Sequence, residues 1–170
     1  MDRHELGAVT AALGNFTPSA GTTSTITLTA APSPATFCIK GRSYTKATAA
    51  NVVTAGTTDI VTGAAFQPIP PGYGGIFTIG LDSGGNMKIA QGSIEAGGGH
   101  TDGSNAAWTF VNALRLTVPP DTICPVAYLI VKVGSAGAAW TLGASNTSGV
   151  ANTGYAWQAI ATLPDRPLVA

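Results

Sequence analysis

The chain has 170 residues, of which only 9% are charged, and its eight basic residues are balanced by eight acidic ones. A formal net charge of zero argues against nucleic acid as the main partner, because phosphate binding draws on a basic excess. The charged fraction is far below the roughly 25% of an average soluble domain, so the surface is expected to be rich in Thr, Ser and Gly, or covered by other subunits.

This length suffices for one domain with its own core. No apolar run reaches the ~18 residues that a membrane-spanning helix needs, so no membrane partner is expected. The opening MDRHELGAVTAALGNF carries acids among its first residues and only a brief apolar stretch, unlike a secretory signal. Synthesis in the cytoplasm, without standard export, is the expectation. Cys38 and Cys124 are too few for a disulfide framework and read as two small buried thiols.

In chain order, Leu6, Val9 and Leu13 fall near helical spacing, and Gly14-Asn15 would stop a helix there. Gly7 weakens that pattern, which leaves a short helix or an extended arm. Thr22 to Ala30 alternates small polar and apolar residues, as strands do. Ala31-Pro-Ser-Pro-Ala35 reads as a stiff linker, since each proline pushes the residue before it to extended conformations. The expected organisation is an N-terminal arm and linker over 1–35, then a β-rich domain over 36–170.

Phe37 to Ala47, FCIKGRSYTKA, reads as a tight hairpin turning at Lys40-Gly41-Arg42 and carrying Lys40, Arg42 and Lys46. Such charges either guard an edge against aggregation or pair with an acidic protein surface. Val52 to Thr62 offers one or two strands, and Gln67 to Gly72 a rigid loop. Gly75 to Ala90 is the clearest hairpin. Phe77, Ile79 and Leu81 share one face, Asp82 to Asn86 makes the turn, and Met87 and Ile89 return on one face. Glu95 to Asn105 reads as a flexible glycine-rich loop, Trp108 to Val118 as a strand, and Pro119-Pro120-Asp121 as a turn.

Pro125 to Val133, PVAYLIVKV, is apolar on both faces, with Ala127, Leu129, Val131 and Val133 on one and Val126, Tyr128 and Ile130 on the other. A strand of that kind is central in a sandwich or lies at a subunit interface. Ala138 to Leu142 and Tyr155 to Ala161 complete the set, and Pro164 and Pro167 mark a nonregular tail. Short strands at this spacing predict an all-β fold, a single β-sandwich or β-barrel-like domain behind the N-terminal arm.

Groups able to do chemistry are scarce. His100, Asp102 and Ser104 are the residue types of a nucleophilic triad, but they sit side by side in a glycine-rich loop that would not aim them. His100, Asp102 and Glu95 have no recognised metal-ligand spacing. Gly97-Gly-Gly99 lacks the following Lys-Ser/Thr of a phosphate loop, and Asp82 to Asn86 needs no ion to explain it. Trp108, Trp140 and Trp157 could stack a sugar only if two were exposed together. No enzyme activity, catalytic residue, cofactor or metal site is expected.

A resemblance enters with FCIKGRSYTKA, the later GGIFTIGLDSGGNMKIAQGS and the PVAYLIV strand, joined loosely by Leu116 to Asp121. These segments resemble tailed-bacteriophage virion structural proteins of the head-decoration or head-fibre type. The similarity covers roughly 36 to 133 and rests on turns and strands. It implies an oligomeric β-rich virion component on the capsid surface. The expected role is that of a capsid decoration (cement) protein, binding the major capsid protein on the outside of an assembled head. The alternative is a receptor- or glycan-binding module of a head or tail fibre. A homotrimer is preferred, since capsids offer local three-fold positions. Expected contacts are Leu6, Val9, Leu13 and Phe16 in the arm, Lys40, Arg42 and Lys46 in the hairpin, and Tyr128 and Ile130 on the apolar strand.

Overall fold

A computed structural model describes residues 10–53, 58–98 and 109–160. The fold is all-β and is built as three sheets that pack around a common core. The first sheet has the order β2-β3-β6, from β2 (Asn15–Ala20), β3 (Thr25–Ala31) and β6 (Ala49–Val53). Along β2 the side chains of Phe16 and Pro18 point inward while Asn15, Thr17 and Ser19 face out, the period of two that a strand imposes. Ile26, Leu28 and Ala30 of β3 do the same, with Phe16 opposite Ala30 and Pro18 opposite Leu28. Pro18 fits because β2 is an edge strand, where a missing N–H costs little.

This sheet corrects the expected arm. Residues 15–31 are two strands of the body, and Phe16, only 1% exposed, is a core residue and not a contact for a neighbour. The Ala31–Ala35 stretch carries the chain onward in the same direction from one sheet to the next, since 25–31 lies antiparallel to 15–20 and 37–38 antiparallel to 11–12. It is pinned by Thr48, whose N–H donates to Ser33 Oγ at 3.1 Å and whose Oγ1 accepts from Ala30 N–H at 3.1 Å. No helix covers 10–13, because Ala11–Ala12 form β1 and pair with Cys38 and Phe37. Leu6 and Val9 lie outside the described residues.

The second sheet, β1-β4-β5, contains the FCIKGRSYTKA hairpin. Here β4 (Ala35–Ile39) and β5 (Arg42–Lys46) close with Ile39 opposite Arg42. Lys40 (φ 49°) and Gly41 (φ 75°) are both left-handed, the turn geometry whose twist matches a two-residue hairpin.

The third sheet has the order β11-β10-β7-β8-β9, from β7 (Tyr73–Leu81), β8 (Met87–Gly98), β9 (Thr109–Phe110), β10 (Cys124–Val133) and β11 (Thr153–Ala159). With β7 and β11 on its two sides, β10 is an interior strand. Leu129, Val131 and Val133 enter the main core, and Ile130 joins Ile76 and Leu114 in a smaller one edged by Phe110, Leu116 and Tyr128. The apolar second face of β10 is therefore covered by the chain's own 110–116 segment. Ile130, 5% exposed, is not open to another subunit.

Beyond Phe110 the expected strand to Val118 is irregular, held by hydrogen bonds. Arg115 N–H donates to Ser93 Oγ at 2.9 Å, Ser93 N–H to Arg115 O at 3.0 Å, and Thr117 Oγ1 to Gln91 O at 2.8 Å. Ala138–Leu142 is likewise no strand, but a single bridge between Trp140 and Ile69.

That bridge sets the centre of the molecule. Trp140 is fully buried, exchanges both backbone hydrogen bonds with Ile69 (2.8 and 3.0 Å), and donates its indole N–H to Asn146 O at 2.8 Å. Its ring meets Phe77 edgewise at 5.8 Å and Tyr155 at 6.0 Å, and Phe77 in turn meets Phe66 at 5.9 Å. Such pairs add about 1 kcal/mol each beyond area burial.

Gly92 is a second fixed point. A Cβ there would stand 2.6 Å from Ile76 Cγ2 and against the Arg115 carbonyl oxygen, and backbone cannot swing aside. Gly92→Ala is expected to lower unfolding stability by about 2 kcal/mol through overpacking, and Trp140→Ala by about 4 kcal/mol through the cavity it leaves. Urea denaturation followed by tryptophan fluorescence or circular dichroism measures both. A Gly92→Ala midpoint equal to wild type would contradict the close approach.

Candidate interaction surface

Among the described residues, most groups that could do chemistry are committed to holding the fold. Asp59, 5% exposed, accepts from Val61 N–H (3.1 Å) and Gln91 N–H (3.3 Å) on Oδ1 and from Thr62 Oγ1 (2.8 Å) on Oδ2. Gln91 answers from β8: its Oε1 accepts from Gln67 N–H at 2.7 Å and its Nε2 donates to Gln67 O at 3.0 Å. Together they fasten the 58–70 loop to the sheet. The open cleft of about 400 Å³ between them is walled by these engaged groups and by Ala64, Ala65 and Ile94.

Asp82 closes its own turn. Its Oδ1 accepts from Gly84 N–H (2.9 Å) and Asn86 N–H (2.8 Å), and the Asn86 amide reaches both carboxylate oxygens. Partial burial pushes this carboxyl up. The hydrogen bonds from Asn86 and Gly84, together with the charge of Lys88, outweigh burial and hold the group below its ordinary value. Glu95 accepts from the Asn112 amide at 3.2 Å. Among the described residues no group of three or more His, Cys, Asp or Glu could hold a metal ion, and no helix is long and apolar enough to cross a membrane.

Cys38 and Cys124 are free and buried. They lie close enough to interact, with the Cys38 N–H facing the Cys124 sulfur. Burial pushes the Cys124 thiol up to about 11, so it has little thiolate character at neutral pH.

The tryptophans do not form a platform among the described residues. Trp140 is sealed in the core, and Trp157 is half-buried against it. Trp108, His100, Asp102 and Ser104 lie outside the described residues.

Of the expected contacts, Lys40 and Arg42 share the hairpin tip, with Lys46 at the other end of β5, while Tyr128 and Ile130 meet in the smaller core. Lys40 and Arg42 are exposed. Lys46 lays its stem beside the β7–β8 turn, its Cδ 3.3 Å from where a Gly85 Cβ would stand. Lys40 Nζ meets Asp121 Oδ2 at 2.6 Å. Ile39, Lys40, Arg42, Tyr44, Ser83 and Thr122 line a cleft of about 390 Å³ at this tip. Tyr44 stands firm there because its ring stacks on buried Phe37, with centroids 5.7 Å apart. Elsewhere, Leu13 is 63% exposed and Tyr128 is half-buried at the smaller core. No known protein family, curated protein or solved structure matches the chain.

With both thiols buried, neither is expected to react with an aromatic disulfide reagent at pH 8 within minutes, and both should react once the chain is unfolded in guanidinium. Rapid labelling of either cysteine in the native protein would contradict this packing.

Proposed function

We propose that the chain is a structural virion protein of a tailed bacteriophage, a decoration protein that binds the outer surface of an assembled head and stabilises it. One observation carries this reading. The described carboxylates and thiols are spent on turns, loops and the core, while the rest of the body is a low-charge β scaffold. A protein so built acts by shape and burial. The resemblance of its hairpin, its LDSGGN turn and its PVAYLIV strand to virion proteins points the same way.

The mechanism is additive. Apolar burial is worth about 25 cal/mol per Å², and subunits that bridge neighbours gain from effective concentration once the first contact is made. A homotrimer seated on local three-fold positions of the major capsid protein would bind in this way. A glycan-binding fibre module would call for exposed stacking faces. Trp140 is buried and Trp157 is half-buried, which favours decoration.

Heads stripped of the chain and mixed with purified protein test this. The chain should sediment with the heads to a saturating ratio, and loaded heads should release their DNA at a temperature several degrees higher. Protein that stays in the soluble fraction at micromolar concentration would contradict the proposal.

A further inference from the structure

Few charges are present, and their placement is uneven. The described residues hold six cations and four anions: Lys40, Arg42, Lys46, Lys88, Arg115 and Lys132 against Asp59, Asp82, Glu95 and Asp121. Lys88 approaches Asp82 at 3.9 Å, Lys132 lies 5.1 Å over the Phe110 ring, and Arg115 sits beside β8. The remaining three gather on the one β4–β5 hairpin. Facing them are Asp121, which pairs with Lys40, and Asp82, whose oxygens are already taken by Gly84 and Asn86. Among the described residues neither Arg42 nor Lys46 has an ion-pair partner.

The turn itself adds a second observation. Lys40 occupies a left-handed position, φ 49°, where Asn, Asp or Gly is locally preferred. A lysine held there against its own backbone preference is the kind of strain that collects at functional positions. Its N–H is fixed by Thr10 Oγ1 at 3.1 Å, so the tip is braced from β1 as well.

Resting on the decoration reading, we propose that the cleft at this tip is the docking point for carboxylate side chains of an acidic protein surface, with Arg42 as the central ligand. An exposed guanidinium offers a planar fork that matches a carboxylate with two parallel hydrogen bonds. Tyr44, Ser83 and Thr122 line the same cleft, residues whose hydroxyls are neutral donors. Ile39 and the stacked Tyr44–Phe37 pair give it a rigid floor. The Lys40–Asp121 pair shows a carboxylate already accepted at the rim. Three cations are too few to follow a nucleic-acid backbone but suit a patch of two or three acidic residues.

The test compares wild type with Arg42→Glu/Lys46→Glu and with the milder Arg42→Gln, each checked for native circular dichroism and melting. In the head-binding assay the double variant should bind about tenfold more weakly at low salt, with the gap narrowing at high salt. Equal binding by all three would overturn the docking point and leave the decoration reading intact. In a second arm, hexaglutamate is titrated into isotope-labelled wild type. The amides of Ile39 to Tyr44 should shift, and should not in Arg42→Gln. This arm decides the inference even where wild type fails to bind heads, and the wild-type shifts are read whether or not a variant folds. Shifts absent from the hairpin, or tighter binding of a DNA duplex than of hexaglutamate at the same amides, would overturn it.

Discussion

The bridge between Trp140 and Ile69 is the constraint on which the rest of the molecule depends. Two loops with no strand of their own meet there, and one indole ring closes the core that three sheets share. Because the ring is wholly buried, its N–H must find an acceptor, and Asn146 O supplies it. Asn146 O also accepts from Tyr155 OH, and the next residue, Thr147, is buried and donates to Thr25 O at 2.8 Å. Thus the 140–147 loop ties β11 to β3, and the first strands of the body are locked to its last.

That arrangement explains how a chain with so little charge keeps a defined shape. Several of its polar groups staple segments distant in sequence: Asp59 to Gln91, Arg115 to Ser93, Thr147 to Thr25. Among the described residues, three of the six cations lie on the one hairpin.

Much of the fold was legible in sequence. Period-two runs marked β7 and the first part of β8, whose strand in fact continues through the glycine-rich 95–98 expected as loop. Lys40-Gly41 marked the hairpin turn. The two-faced apolarity of β10 left open a central strand or a subunit interface, of which the structure has the interior strand. The missed features share one cause, which is partnership over long range. Phe16, Ile26 and Leu28 sit in Thr- and Pro-rich stretches whose burial depends on β6, β10 and β11, and local reading made them an arm. Leu114 lies in a segment with no alternation, since it covers β10 as an irregular strap. Asp59 resembled any acid in a Thr-Gly loop, and only β8 above it makes it buried. At the candidate surface the cations were legible as a cluster. Ser83 and Thr122 were not, because separate turns bring them to the cleft.

Where this body sits on a virion is the most direct test of the decoration proposal. Electron cryomicroscopy of intact particles from the source of the chain, carried to a resolution that shows side chains, would decide it. The three-sheet body should appear outside the capsid shell, with Lys40 and Arg42 turned toward acidic residues of the shell subunits. Particles whose shell lacks this density, or carry it on the tail, would contradict the account.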